Sequence, residues 1–460
     1  MKVCIIGTGA SGWIVCSMLK KIDFITEIVI IGSSKVPPIG VGESTTLNFV
    51  ENFLDDVKEF VRESDAAVKY GVFYKNWAET DFIHHFKSHK LWEHYGVDLN
   101  KWGQSLANKP KEQHIHELIG DKLFKNIQEN KVSTDSEYYP HSWHFDAAKF
   151  IKHLEKKATK HPKVTFVEDT IVACEFRGGE IEYLIGECGA SYYADYFVNC
   201  CGDNHLNNEI FGEEYHDLSP ILLTNKALVY PLEYTNKREQ FHPYTVAKTM
   251  KYGWRWITPT QSRIGTGYVF SDKHVSVEEA TKEFLDDIGD STIKPRLVDF
   301  SPRMNKKPFK KNSCCIGMSQ GFLEPLDAPG LAISVLCAEK LVDYLRGDVE
   351  ASFLNDELLL EYKFWASFIL HQYKTCYRDD SQFWKEQKEV TFDFYEFIMN
   401  CFSHFPNDEI KERFEFLMMF QTTAGKNHTW DCEVKEKPIP LLDIKTDTTH
   451  HLDYIQSYYG

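Results

Sequence analysis

The first twenty-one residues place a glycine-rich turn between a predicted strand and a predicted helix, and this arrangement restricts the fold most strongly. The apolar run Val3–Ile6 predicts a buried strand, Gly7–Gly12 has the spacing G-x-G-x-x-G, and Trp13–Leu19 has helical spacing. In such a turn the first glycine allows the bend, the second lets a pyrophosphate approach the backbone, and the third lets helix pack on strand. The helix N-terminus attracts the phosphate charge. We therefore expect a dinucleotide-binding α/β domain.

The next segments limit which dinucleotide this domain can bind. Ile28–Ile31 predicts a second parallel strand, and a Rossmann pattern expects an acidic residue at its end to hold the ribose hydroxyls. Ser33 stands there instead. It can bond to a ribose, but the missing acid argues against a simple NAD site. The following Pro37–Thr46 contains two prolines and two glycines, which favours an extended strap along the ligand over an ordinary surface loop.

Composition excludes several classes of function. The chain is 43% hydrophobic and 26% charged, as globular proteins are, and its net charge of −16 argues against nucleic acid and anionic membranes as partners. No apolar run approaches the ~20 residues of a membrane span. The chain enters its first strand directly, so no signal peptide is expected and the predicted location is cytoplasmic. The 12 cysteines form no C-x-x-C pair, so reduced core thiols are expected and a metal site is not.

Two further groups of strands are predicted. Val164–Val167, Ile171–Phe176 and Glu180–Ile185 have the pattern of antiparallel strands with a hairpin turn at Gly178-Gly179, and Ala194–Gly202 returns to the dinucleotide sheet. The second group forms another sheet and comprises Lys226–Tyr230, Tyr244–Lys248, Gly253–Pro259 and Gly265–Ser271. Trp254 and Trp256 share one face of their strand, as a wall of the core or beside a flat ring.

The remaining segments are predicted mainly as helices. The predicted helices are Leu47–Phe60, Trp143–Leu154 with Asp146 near its start, and Leu331–Leu345. Residues 81–139 have no period of their own and are interpreted as an irregular insertion in a substrate lobe, and a polar tail follows Pro440. Lys69 lies among apolar residues; most such lysines extend to solvent, so the local pattern alone favours a structural role.

A dispersed set of motifs is more specific than any of these features. The motifs, in chain order, are Gly7–Gly12, Ile39–Glu43, Lys69 within VKYGVFYKNW, Trp143–Asp146, Asp195 with Cys201-Gly202, Gly253–Pro259, Gly321–Gly330, His371–Tyr373 and Arg378–Trp384. Together they resemble the flavin-dependent tryptophan-halogenase family from residue 1 to about 385. The W-x-W strand combined with the N-terminal glycine turn separates this family from ordinary flavin monooxygenases.

The resemblance implies an α/β fold: a Rossmann-type FAD-binding domain with an added antiparallel sheet, as in flavin monooxygenases, plus a mainly helical substrate lobe. The FAD-binding module would comprise residues 1–80 and 140–345, and the substrate-binding module residues 81–139 and 346–460. The residues expected to contact FAD are Gly7, Gly9, Ala10, Ser11, Gly12, Ser33, Gly40, Val41, Gly42, Glu43, Ser44, Gly317 and Leu326.

The resemblance also implies a reaction. Reduced flavin (FADH2), supplied by a separate reductase, would activate oxygen and convert a halide into hypohalous acid, which would travel through a tunnel to an electron-rich indole-like or phenolic substrate. Lys69 matches the essential lysine of the family, acting either as an ammonium donor or through a haloamine. Trp254 and Trp256 would crowd the flavin and hinder ordinary hydroxylation.

The halide and carboxylate sites depart from the family pattern. The carboxylate partner falls at Asp327, with Glu324 as the alternative, because PLDAPG replaces the usual P-L-E-S-T-G. Pro329 has no N–H for a halide, which leaves the amides of Gly330 and Leu331. The choice among chloride, bromide and iodide is therefore open, and a less constrained site favours the larger, more easily oxidised halides.

Two other functions remain open at this point. One is a flavin-dependent hydroxylase or reductase of the same fold, and the other is a non-catalytic flavin-binding protein, supported by the altered PLDAPG loop. The expected partners are a small aromatic substrate and a diffusing flavin reductase. Homo-oligomer formation and the identity of the substrate are left open.

Overall fold

The computed structural model describes most of the 460-residue chain. The described residues are 1–35, 43–47, 53–86, 102, 105–110, 112–119, 121–133, 140–202, 210–404, 419, 422–423, 425–426 and 447–459. Backbone contacts divide the chain into two units. Unit 1 comprises Met1–Ala66, Phe145–Leu218 and Ser301–Tyr362, and unit 2 comprises Ala67–His144, Ser219–Phe300 and Lys363–Gly460.

The elements are numbered along the chain. The strands are β1 (Lys2–Ile6), β2 (Glu27–Gly32), β3 (Glu43–Ser44), β4 (Ala67–Lys69), β5 (Gly71–Lys75), β6 (Phe82–His85), β7 (Lys131–Ser133), β8 (Ser142–Phe145), β9 (Val164–Glu168), β10 (Ile171–Arg177), β11 (Glu180–Gly186), β12 (Ser191–Tyr192), β13 (Tyr196–Asn199), β14 (Tyr215–Asp217), β15 (Lys226–Leu232), β16 (Thr245–Met250), β17 (Gly253–Pro259), β18 (Ile264–Phe270), β19 (Arg296–Asp299), β20 (Arg303–Asn305), β21 (Ser313–Cys315), β22 (Gly321–Phe322) and β23 (Thr448–His450). The helices are α1 (Ala10–Leu19), α2 (Val57–Glu63), α3 (Ile115–Ile119), α4 (Asp121–Gln128), α5 (Ala147–Ala158), α6 (Lys237–Gln240), α7 (Val277–Ile288), α8 (Pro329–Arg346), α9 (Ala351–Lys374), α10 (Gln382–Glu389), α11 (Asp393–His404) and α12 (His451–Gln456).

Unit 1 contains the predicted dinucleotide-type sheet. Its strand order is β21-β13-β1-β2-β9, and every neighbouring pair is parallel. The predicted βαβ unit and the return of Ala194–Gly202 to this sheet are confirmed, as is the α/β fold class. Because β1 lies between β13 and β2, the chain leaves β1 at the switch point where α/β sheets bind ligands.

One strand of this region pairs differently from the prediction. The sequence predicts that Val164–Val167 is antiparallel to its neighbours, and this is wrong because β9 pairs in parallel with β2. The two following strands do form the predicted antiparallel hairpin, with Gly178 and Gly179 at φ 63° and 81° in its turn. A short alternating strand has the same sequence pattern whether it is parallel or antiparallel to its neighbour. Its orientation is therefore known only once the strand it pairs with is known.

Unit 2 is built on a seven-stranded sheet with the order β19-β15-β18-β17-β16-β5-β6. Its strands β15 to β18 are those predicted from the sequence, and all its pairs are antiparallel except β16 with β5. Strand β5 begins two residues after Lys69. The lysine segment is therefore continuous with a central sheet and does not lie in a surface loop.

Two predicted helices begin later than expected. The helix predicted at Leu47–Phe60 begins at Val57, because the Asp56 side chain accepts the amide of Lys58 (2.8 Å) and caps it. Residues 48–52 lie outside the described part of the chain. Trp143 belongs to strand β8, and helix α5 begins only after Asp146. The predicted position of Asp146 is confirmed, since its carboxylate accepts the amide of Lys149 at 3.0 Å.

Two segments have more regular structure than the sequence indicates. Within residues 81–139 the structure contains β6, α3, α4 and β7, so the prediction of an irregular insertion is wrong there. Part of the polar tail after Pro440 forms β23 and α12, and β23 pairs with β7. Among the described residues, no helix is both long and apolar enough to cross a bilayer.

Candidate active site

The glycine-rich turn has the geometry that a pyrophosphate site needs. Gly7 has φ 108°, and a Cβ there would lie 2.6 Å from the carbonyl oxygen of Cys200. A Cβ on Gly12 would collide with the Gly7 carbonyl oxygen. By contrast, no described atom lies within 4 Å of the Cβ position of Gly9. The first and third glycines are thus required by the protein's own packing, and the second faces open space that a ligand can fill.

Two helices of unit 1 begin without side-chain caps, and both belong to the predicted cofactor and halide sites. Helix α1 has Gly9 at its N-cap and α8 has Ala328, and neither receives a capping hydrogen bond from a described side chain. Neither helix has an acidic residue in its first turn. Their first amides, including those of Ala10, Gly330 and Leu331, can therefore bind anions without competition from an acidic residue of their own first turn.

The starts of these two helices meet at Gly317. The hydroxyl of Ser11 donates to that of Ser334 in α8 at 3.3 Å. Gly317 has φ 79°, and a Cβ there would collide with the Ser11 hydroxyl. Two of the predicted FAD-contact residues, Ser11 in α1 and Gly317, are therefore close together within unit 1, beside Ser334 of α8.

The loop before α8 is strained. Asp327 and Ala328 have φ values of 61° and 62°, in the left-handed region that non-glycine residues rarely adopt. Pro329 at the first helical position has its own φ fixed by the ring, and the amide of Ala328 donates to the Pro325 carbonyl at 3.0 Å. Strain of this kind concentrates at functional sites. The predicted carboxylate Asp327 and the predicted halide amides therefore lie in a loop with an unusual backbone.

The other predicted residues of this loop are buried. Glu324 and Leu326 are fully buried, and Asp327 is 8% exposed. The structure places both candidate carboxylates, Asp327 and Glu324, within three residues of each other before α8.

Sequence reasoning missed one candidate at the ribose position. Ser33, at the end of β2, accepts the Lys35 amide at 3.3 Å. The next residue, Ser34, donates its amide and its hydroxyl to Glu168, at 2.7 and 2.8 Å. These bonds lower the pKa of the Glu168 carboxyl. An acidic residue, absent from the end of β2, is thus present beside it at the end of β9, and the sequence shows this only once β9 is recognised as parallel to β2.

The predicted strap is only partly described. Gly40, Val41 and Gly42 lie outside the described residues. Glu43 and Ser44 form the short strand β3. Their predicted contact with FAD stays a prediction.

In unit 2, the tryptophan pair lies on one face of β17 as predicted. The ring centroids of Trp254 and Trp256 are 6.2 Å apart, and both side chains are buried. The Trp256 ring occupies the space that a side chain on Gly267 of the neighbouring strand would need. On the other face Arg255 donates to Asp287 at 2.7 Å and to the Thr266 hydroxyl at 2.9 Å. The strand therefore holds the two rings in fixed positions.

Lys69 is the most unusual predicted residue, because its side chain is only 1% exposed. It ends β4 opposite Ser142 of β8, and its ammonium nitrogen lies 5.3 Å from the centre of the Phe86 ring. The expectation that a lysine here extends to solvent is wrong. Burying a lysine is costly, so a buried lysine on a strand is a candidate for chemistry.

A buried histidine shares the face of Lys69. His144 lies two residues from Ser142, so its side chain is on the same side of this strand pair. Its ring contacts the Pro259 carbonyl (3.1 Å) and the Thr245 hydroxyl (2.8 Å). Burial, and then the charge of Lys69, hold the pKa of His144 well below its usual value. His144 is therefore neutral at neutral pH.

A second buried histidine contacts the backbone of the lysine strand. Nε2 of His451, from helix α12, accepts the Val68 amide at 2.9 Å, and its Nδ1 lies 3.1 Å from the Phe241 carbonyl oxygen. Burial lowers the pKa of His451 to about 3.

We expect acid to destabilise this region. An unfolded histidine has a pKa near 6.5, so between about pH 6.5 and 3 the unfolded state binds a proton that folded His451 excludes. The free energy of unfolding is unaffected above that range and falls by about 1.4 kcal/mol per pH unit within it, with His144 acting in the same direction. Urea unfolding at pH 7, 6 and 5 measures this slope. His451→Gln should have a shallower slope than the unsubstituted protein, and equal slopes would contradict the assignment.

One group of described side chains has the spacing of a metal site. It consists of Glu59, Glu63 and His153 in unit 1. Lys156 pairs with Glu63, and Lys157 pairs with Glu59, so lysines already neutralise both carboxylates.

The chain has clear relatives. A family model described as tryptophan halogenase matches residues 2–426. Tryptophan 7-halogenase RebH of Lentzea aerocolonigenes is 27% identical over 418 residues, covering 85% of this chain and 79% of the relative. Tryptophan 6-halogenase ThaL of Streptomyces albogriseolus is 28% identical over 420 residues, covering 84% and 79%.

Solved structures show the same fold. The tryptophan halogenase from Shewanella frigidimarina has a TM-score of 0.85 at 21% identity and covers all of this chain and 93% of its own. Xcc4156, a flavin-dependent halogenase from Xanthomonas campestris, has a TM-score of 0.82 at 19% identity, with coverage of 99% and 94%. At these identities the solved structures show the fold alone. Membership of the family is shown by the family model, which matches nearly the whole chain. The chain belongs to the tryptophan halogenase family and is an enzyme of its flavin-dependent, oxidoreductase type.

Proposed function

We propose that the chain is an FADH2- and O2-dependent halogenase that makes hypohalous acid at the flavin and halogenates an electron-rich aromatic substrate through Lys69. The observation that carries this proposal is the buried lysine on β4 in a chain of this family. The resemblance alone identifies the lysine, and its burial supports a chemical role over a solvent-exposed one.

The residues of unit 1 fit a bound FAD. Gly9 offers open space for the pyrophosphate, and the first amides of α1 supply uncapped donors for its charge. Gly317 and Ser11 fix the junction with α8, and Ser33 or Glu168 can accept from the ribose hydroxyls. Reduced FAD, supplied by a separate reductase, provides the oxygen activation that oxidises the halide.

The proposed halide site is the N-terminus of α8. Pro329 has no N–H, so the amides of Gly330 and Leu331 are the donors that remain for the anion. No described atom lies within 4 Å of the Cβ position of Gly330, which supports a site with room for the larger halides.

The proposed role of Lys69 is to activate the oxidant. Its ammonium gives a proton to the oxygen of hypohalous acid as the halogen–oxygen bond breaks, so that the halogen is more electrophilic and the oxygen departs as water. The proton that the arene then loses balances the one given up. The aromatic carbon gains the halogen and loses its proton to a carboxylate, for which Asp327 is the first candidate and Glu324 the second. The overall change is Ar–H plus HOX to Ar–X plus water. Trp254 and Trp256 would exclude the organic substrate from the flavin face.

The substrate class follows from the same chemistry. The relatives RebH and ThaL are tryptophan halogenases by name. For this chain we propose an indole-like or phenolic ring, because electrophilic halogenation needs an electron-rich arene. The substrate module would comprise residues 81–139 and 346–460, and the FAD module residues 1–80 and 140–345.

A halide screen tests the proposal. Purified protein is supplied with FAD, a flavin reductase, NADH, oxygen and one halide, together with tryptophan, indole and phenols. We expect halogenated product by mass spectrometry, with bromide used at least several-fold better than chloride. Reactions with catalase and without the protein exclude free oxidants. Absence of a halogen isotope pattern with every halide contradicts the proposal, and equal use of chloride contradicts only the halide preference.

The same screen separates the alternatives. Oxygen insertion into the substrate without any halide indicates a hydroxylase. Flavin binding without accelerated oxidation of substrate or halide indicates a non-catalytic protein, for which the altered PLDAPG loop is the supporting observation.

A further inference from the structure

The strand that carries Lys69 has one edge paired with another strand and one edge held by a side chain. Along the first edge β4 pairs with β8, with Lys69 opposite Ser142. Along the other, the Val68 amide donates to Nε2 of His451 at 2.9 Å. Val68 is fully buried, so its amide needs a partner in the protein. His451 thus supplies the hydrogen-bond acceptor that a neighbouring strand would otherwise provide for this amide.

His451 is itself held from several directions. Its Nδ1 lies 3.1 Å from the Phe241 carbonyl oxygen, which requires a proton on Nδ1 and leaves Nε2 free to accept from Val68. Its ring stacks on that of Phe241, with centroids 4.2 Å apart and planes 9° from parallel. Its own amide donates to the Asn130 carbonyl at 2.7 Å. The ring therefore has a single tautomer and a fixed position.

We infer that His451 is a positioning residue for Lys69: it fixes the lysine strand through the Val68 backbone and so sets where the ammonium lies. The residue lies beyond the family-model match, which ends at residue 426, so that match assigns it no role. The inference rests on the proposed function of Lys69. It predicts that His451 affects transfer of the halogen and leaves oxidation of the flavin unchanged.

Two substitutions separate the acceptor from the shape of the ring. His451→Phe keeps a flat ring on Phe241 and removes both nitrogens, which leaves the Val68 amide without its acceptor. His451→Gln removes the ring and places an amide oxygen near the position of Nε2. His274→Phe is the matched control, because it removes another histidine of unit 2 whose side chain is 3% exposed and whose bonds go to Ser271 and Glu386.

The first measurement is halogenated product formed per reduced flavin oxidised, with bromide and the best substrate of the screen. We expect this ratio to fall at least tenfold in His451→Phe and to recover to within about threefold of the unsubstituted value in His451→Gln. Flavin oxidation should stay within twofold in both variants. His274→Phe should leave the ratio unchanged.

The second measurement is hydrogen exchange at the Val68 amide, which does not depend on halogenation. We expect faster exchange in His451→Phe and restored protection in His451→Gln. A normal product ratio in His451→Phe, or a fall in product and flavin oxidation by the same factor, overturns the inference. If the unsubstituted protein forms no halogenated product, the proposed function fails and this inference falls with it; if it does form product, only the inference is at stake.

Discussion

Lys69→Ala should lose at least about 100-fold in halogenated product while it continues to oxidise reduced flavin. A 100-fold loss corresponds to about 2.7 kcal/mol of transition-state stabilisation, which is the scale expected for removing a charged hydrogen-bond donor from a buried site. The glycine turn proposed to bind FAD lies in unit 1 and Lys69 lies in unit 2, so we expect the substitution to leave the turn intact. Product by mass spectrometry and flavin oxidation by absorbance, recorded in the same reaction, measure the two effects.

The control must separate the chemistry of Lys69 from the loss of any buried lysine. Lys426 is 6% exposed, and its ammonium donates to Gln372 Oε1 (2.6 Å) and to the Thr375 hydroxyl (2.9 Å). Lys426→Met should lower the unfolding temperature and keep the ratio of product to oxidised flavin. If Lys69→Ala lowers product and flavin oxidation together, or if Lys426→Met shows the same defect, Lys69 has no special role in the transfer.

The parts of the fold that follow from short stretches of sequence could be predicted. The strand–turn–helix of residues 3–19 and the shared face of Trp254 and Trp256 depend only on local spacing, and both were confirmed. The orientation of β9 could not be predicted, because it depends on β2, which lies more than a hundred residues earlier in the chain. Because β9 is predicted in the wrong orientation, the position of Glu168 beside the end of β2 is missed as well. The end of a strand can be located in a sheet only when its neighbouring strand is known.

In the candidate site, too, features set by local sequence could be predicted and features set by distant contacts could not. The resemblance identifies Lys69, yet the pattern around it predicts exposure, whereas the structure buries it on a strand whose partner β8 lies much later in the chain. The contact of His451 with Val68 joins residues 383 positions apart. No periodicity or motif marks a contact of that kind. The strained φ angles of Asp327 and Ala328 were likewise outside the reach of the sequence, although the departure from the family pattern was visible at those residues.

Substitution by alanine should have different effects on stability at Gly12, which ends the N-terminal turn, and at Gly9, which lies in its middle. In Gly12→Ala the added methyl group collides with the Gly7 carbonyl oxygen, which is backbone and cannot turn aside. Alanine gains about 1 kcal/mol over glycine in a helix, but overpacking against backbone costs more, so we expect a net loss of at least about 2 kcal/mol in stability. In Gly9→Ala the methyl group meets no described atom within 4 Å, so the protein without FAD should keep its stability to within about 1 kcal/mol.

The same Gly9→Ala variant should bind FAD at least tenfold more weakly, because the methyl group occupies the space through which the pyrophosphate approaches the backbone. Thermal unfolding without FAD and titration of FAD by fluorescence quenching distinguish the two variants, and Gly12→Ala should show its defect already in the first measurement. Unchanged FAD affinity in a stable Gly9→Ala protein would place the pyrophosphate elsewhere. It would also remove the physical basis for assigning this turn to the cofactor, whatever the family resemblance implies.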